Sequence, residues 1–68
     1  MENTYKELIS NEEFFAAALM QVRVIVVDAA DQSLVDYGGP VEKYTEFSVR
    51  IGGVYYQRHL HIFKILNL

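Results

Sequence analysis

Two adjacent glycines, Gly52 and Gly53, separate two runs rich in Val, Ile, Phe and Tyr. A two-residue primed turn needs backbone with φ > 0, which glycine adopts without steric penalty. Residues 41–68 therefore read as one β-hairpin with a set register. Ile51 faces Val54, and the pairs continue as Arg50–Tyr55, Val49–Tyr56, Ser48–Gln57, Phe47–Arg58, Glu46–His59, Thr45–Leu60, Tyr44–His61 and Lys43–Ile62.

Side chains alternate across a strand, so this register sorts them onto two faces. Ile51, Val54, Val49, Tyr56, Phe47, Leu60 and Ile62 share one face, interrupted by Arg58, Thr45 and Lys43; this is the expected core face. The other face carries Tyr44, Glu46, Ser48, Arg50, Tyr55, Gln57, His59 and His61. A solvated sheet face accounts for such residues through β-propensity alone. Tyr and Arg are also enriched where proteins bind one another. The expected partner-binding set is therefore Tyr44, Glu46, Arg50, Tyr55, Gln57, His59 and His61, helped by the loop over 28–40.

Upstream of the hairpin, two segments match the capping-box pattern, Thr4-x-x-Glu7 and Ser10-x-x-Glu13. They predict an N-terminal helix, either continuous from Thr4 to Leu19 or broken near Ser10 with its regular part over 11–19. Phe14, Phe15, Ala18 and Leu19 fall at helical spacing and are expected to pack on the sheet. Residues 20–27 predict a strand buried on both faces, because nothing polar follows Arg23. Residues 28–40 read as a connection, ending in the breaker Tyr37-Gly38-Gly39-Pro40. The expected fold is α+β: a helix on a three-stranded antiparallel sheet, with strands near 20–27, 41–51 and 54–66, in a single domain over 1–68.

At 68 residues without cysteine, neither a disulfide nor a thiolate metal site is available to brace the fold. A chain this short buries only about 60% of its unfolded surface. The last strand, Phe63-Lys64-Ile65-Leu66-Asn67-Leu68, points apolar side chains to both sides. A homodimer is therefore expected, as a way of covering the sheet edges and the second apolar set.

Charge is unevenly distributed. All nine acids precede Phe47, so residues 1–46 carry −6 and residues 47–68 carry +3. Three scattered bases make a poor case for a nucleic-acid interface, although Tyr44, Tyr55, His59, His61 and Arg50 contain the ingredients of a stacking platform. No run approaches the roughly 18 apolar residues of a membrane span, and the first 13 residues are net negative, unlike a secretory leader. The expectation is a cytoplasmic protein.

His59-x-His61 places two imidazoles on one strand face roughly 7 Å apart, with Glu46 expected across the hairpin. The spacing permits a divalent metal, but a cross-strand polar pair is the simpler reading, and no metal or cofactor is expected. No nucleophile–base pair falls in a cleft, and the glycine pairs fit neither a dinucleotide fingerprint nor a phosphate loop. The chain reads as non-catalytic, acting by binding a host protein. Size and acidity suggest an inhibitor of the kind that phages and mobile elements direct at nucleic-acid-processing enzymes, such as anti-restriction or anti-CRISPR proteins, an analogy no motif supports. A nucleic-acid-binding regulatory protein and a small assembly subunit are the alternatives.

Overall fold

The computed structural model describes residues 4–67; Leu68, placed in the expected hairpin, lies outside them. The element order is β1 (Thr4–Leu8), α1 (Asn11–Met20), β2 (Val24–Asp28), β3 (Leu34–Gly39), β4 (Lys43–Tyr44), β5 (Ser48–Ile51), β6 (Val54–Gln57) and β7 (His61–Asn67). The fold is α+β, but it has two antiparallel sheets rather than one of three strands. One sheet runs β1-β7-β2-β3 and the other β4-β5-β6.

The expected hairpin holds only near its tip. Ile51 faces Val54, and the register continues through Ser48–Gln57. Gly52 and Gly53 take φ of +59° and +80°, the left-handed backbone of a primed turn. The Arg58 N–H still reaches the Phe47 carbonyl at 2.7 Å. Beyond that point the pairs Glu46–His59, Thr45–Leu60, Tyr44–His61 and Lys43–Ile62 do not form. Thr45 Oγ1 accepts from the N–H groups of Phe47 and Ser48, and this local turn folds β4 back on β5. Lys43 then pairs with Arg50 and Tyr44 with Val49. After β6 the chain turns over 58–60, and β7 leaves for the other sheet, between β1 and β2.

The two capping boxes part company. Thr4-x-x-Glu7 lies in a strand, because Thr4 to Leu8 pairs without interruption with Asn67 to Phe63. Five residues are too few for a stable helix, and the ladder satisfies their backbone instead. Ser10-x-x-Glu13 is a true box: Ser10 Oγ accepts from the Glu13 N–H at 3.2 Å, and Glu13 Oε1 accepts from the N–H groups of Ser10 and Ile9. Those donors hold the Glu13 carboxyl down at about 2, with the Lys6 ammonium adding to the effect. The helix runs to Met20, so the strand expected from 20 begins only at Val24. Gln21 closes the helix in the left-handed region, at φ 53°, doing the work usually left to glycine.

The expected connection over 28–40 contains the six-residue strand β3. Asp28 and Asp31 carboxylates accept backbone N–H groups around the bend at 28–33, and β3 returns along β2. Two register shifts interrupt the β2–β3 ladder, each giving β3 one extra residue. Gly38, at φ +92°, sits against the Val24 carbonyl where a Cβ would overlap it.

The core joins both sheets and the helix. Leu8, Val24, Val26 and Phe63 meet Val49, Ile51 and Val41 from the other side, with Phe14 and Ala17 of α1 between. Of the expected core face, Ile51 and Val49 are buried and Tyr56 is half-buried. Val54, Leu60 and above all Phe47, 75% exposed, are not. Phe47 lies in the turn after Thr45, where strand alternation no longer governs direction.

Candidate functional site

The seven expected binding residues do not share one face. Arg50 and Tyr55 sit side by side across β5 and β6, both exposed, with the guanidinium 5.6 Å from the ring centroid. Lys43 extends this row onto β4. Glu42 reaches Arg50 Nε at 3.2 Å and also caps the hairpin by accepting from the Gly53 N–H. Gln57 is exposed at the end of β6. Tyr44 is half-buried and packs near Phe14, with ring centroids 6.3 Å apart, so most of that ring serves the core.

Glu46, His59 and His61 do come together, though not as cross-strand partners. They line a groove of about 310 Å³ with Glu7, Ile9, Phe14 and Arg58. His61 Nδ1 lies 2.9 Å from the Gln57 carbonyl, and its ring meets Tyr56 edge-on. Among the described residues no three His, Asp or Glu side chains gather closely enough to hold a metal ion. Ser48 is engaged locally, its hydroxyl 3.2 Å from Thr45 Oγ1.

Arg58 is the organising residue of this groove. Nη1 donates to Asn11 Oδ1 and to the Thr45 carbonyl, both at 2.7 Å, and Nη2 donates to the Ile9 carbonyl at 2.6 Å. The guanidinium lies 4.5 Å from the Phe14 ring centroid. One side chain thus ties the entry to α1, the Thr45 turn and the core together. Its place on the apolar hairpin face was the only sign of this in the sequence.

A different surface stands out on α1. The run Phe14-Phe15-Ala16-Ala17-Ala18-Leu19-Met20 is apolar all round the helix, yet only Phe14 and Ala17 are buried. Phe15, Leu19 and Met20 are 57%, 72% and 71% exposed. The expected patch therefore splits: Phe14 and half-buried Ala18 pack inward, and Phe15 and Leu19 face solvent. A helix apolar on every side is ordinarily covered on every side. Beside the ridge lies a hollow of about 160 Å³ between helix and sheet, lined by Leu8, Ala16, Ala17, Met20, Val22 and Ile65. Glu12 sits at the head of the exposed stripe, one turn before Phe15 and Ala16, and forms no ion pair among the described residues.

The outer face of the four-stranded sheet is also partly apolar, with a shallow depression among Tyr5, Arg23, Ile25, Tyr37 and Leu66. Arg23 is committed there, its Nε donating to the Tyr37 carbonyl at 2.7 Å. No helix among the described residues is long and apolar enough to cross a membrane. Comparison with known protein families, curated proteins and solved structures returns no match.

Proposed function

We propose that this chain is a non-catalytic protein-interaction module that docks α1 into an apolar groove on a partner protein. The observation that carries the reading is the exposed ridge of Phe15, Leu19 and Met20 on a helix with no polar side after Glu13. Helices that dock in apolar grooves do so through anchors spaced i, i+4, the spacing of Phe15 and Leu19. The hollow beside Ala16 and Met20 offers the partner a place for an apolar side chain of its own. Glu12 favours a basic group on the partner at the head of the groove.

An inhibitor of a host enzyme that handles nucleic acid fits this mode. Glu7, Glu12 and Glu46 would bring negative charge to a surface built to receive phosphate. The row Lys43, Arg50 and Tyr55 favours a second reading, in which the three-stranded sheet meets single-stranded nucleic acid by stacking and charge.

The test is affinity capture from host lysate with matched variants. Phe15→Ser and Leu19→Ser should lose the captured protein while keeping the native circular dichroism spectrum. Arg50→Ala and Tyr55→Ala should retain it. The opposite pattern would move the interface to the hairpin. Oligonucleotide binding that weakens steeply with salt would favour the second reading.

A further inference from the structure

Beyond that reading, we infer that the free edge of β6 pairs with the β6 of a second copy, giving a weak two-fold dimer. The two sheets have four edge strands, and three of them carry features that discourage further pairing. β1 presents Lys6 and Glu7. β3 is shifted twice in register and runs into Pro40 after Gly38-Gly39. β4 has only two residues and packs beside α1. Charge, bulges, proline and brevity are the usual means by which edges avoid one another.

β6 has none of these. Its sequence is Val54-Tyr55-Tyr56-Gln57, without charge or proline, and its register with β5 is unbroken. Among the described residues it has a hydrogen-bonded neighbour on one side only. Val54 and Tyr55 are about half exposed, at 48% and 54%, so the end of the strand next to the turn is open among the described residues.

The hairpin geometry specifies which groups are free. In a two-residue primed hairpin the pair flanking the turn is hydrogen-bonded, so bonding alternates through Ile51–Val54 and Val49–Tyr56. The Arg58 N–H on the Phe47 carbonyl continues that alternation. Tyr55 therefore turns its N–H and C=O outward. The Gln57 carbonyl is already taken by the Leu60 N–H and lies beside His61 Nδ1. The pairing that uses unengaged groups is centred on Tyr55, whose N–H and C=O exchange with those of the same residue in the other copy.

A second copy suits this edge on two grounds. The chain carries −3 overall, and an uncharged strand lets two copies meet without like charges in contact. In that pairing the two Tyr55 side chains stand directly opposite each other on one face of the joined sheet, so their rings would meet across the two-fold axis. Two four-residue strands bury less than the roughly 1,200 Å² of a stable interface, so the association is concentration-dependent. The dimer would present two α1 ridges at once.

Sedimentation velocity from about 10 µM to 1 mM, together with amide hydrogen exchange, tests this. The mass should rise from 7.8 kDa towards twice that value, and the Tyr55 amide should gain at least about tenfold protection with concentration. Tyr55→Pro removes the outward N–H, as edge strands tolerate, together with the ring beside Arg50, and should stay monomeric. Gln57→Lys, which adds an edge charge, should do the same and serves if the proline variant does not fold. A wild-type mass of 7.8 kDa throughout would overturn the inference. So would folded edge variants that still associate, and association lost in Phe15→Ser alone would place the contact on the helix.

Discussion

The Tyr56 hydroxyl donates a 2.6 Å hydrogen bond to Asp36 Oδ2, tying the three-stranded sheet to the bulged edge of the four-stranded one. Asp36 Oδ1 accepts from the Gly38 N–H at 2.7 Å, so one carboxylate holds both the bulge and the neighbouring sheet. The Tyr56 hydroxyl, then the Gly38 N–H, lower the Asp36 carboxyl below its ordinary value of 3.8; the same bond raises the Tyr56 phenol above 10.0. A lowered carboxyl stabilises the fold above its unfolded value, and that stability is lost as pH falls. A raised phenol stabilises below its unfolded value and is lost as pH rises through the folded one. The pair thus contributes most between pH 3.8 and 10.0. Tyr56→Phe should cost about 1 kcal/mol in urea unfolding at pH 7 and flatten the alkaline limb of the stability profile.

Glu13 gives a separate acid-side signature. Its carboxyl is held at about 2 against an ordinary 4.5, so the charge-dependent part of the capping stability is complete above 4.5 and is lost as pH falls towards 2. Glu13→Gln keeps a capping partner but cannot titrate there. Its melting temperature should vary less with pH across that window than the wild type's. An unchanged slope would mean that the box contributes no charge-dependent stability.

Arg58→Ala should be among the most damaging single changes outside the apolar core. It removes three charge-assisted hydrogen bonds and the contact with Phe14, and a loss of about 2–4 kcal/mol is expected in chemical denaturation. Arg58→Lys should rescue less than half, because an ammonium cannot span Ile9, Asn11 and Thr45 as the planar fork does.

The glycines separate backbone strain from crowding. A Cβ at Gly53 meets no atom within 4 Å, so the positive φ is the main obstacle to Gly53→Val, and about 1 kcal/mol should be lost. Gly38→Ala adds a clash with the Val24 carbonyl to the same strain and should lose roughly 3 kcal/mol or more. Thermal melts of the two variants side by side check the order.

The sequence carried the local signals well. Gly52-Gly53 and Ser10-x-x-Glu13 each specify geometry through a few neighbouring residues, and both stand as read. The long-range arrangement was less visible. Thr45 and the 58–60 turn divert chain that alternation alone would continue as hairpin, because a side-chain hydroxyl competes with the ladder. β1 matched a capping box yet became a strand once β7 offered it five partners. The seven expected site residues scattered for the same reason, since a face assigned from one hairpin was divided between two sheets. The exposed side of α1 was hidden by its own composition: an unbroken apolar run does not say which half the fold covers.

Site-specific photocrosslinking in host lysate tests the helix-docking account most directly. A photoreactive phenylalanine analogue replaces Leu19 in one sample and Tyr55 in another, with native circular dichroism required of both. The account predicts a discrete adduct with a larger host protein from position 19, abolished by Phe15→Ser, and no host adduct from position 55. A host adduct from position 55 with none from position 19 would contradict it.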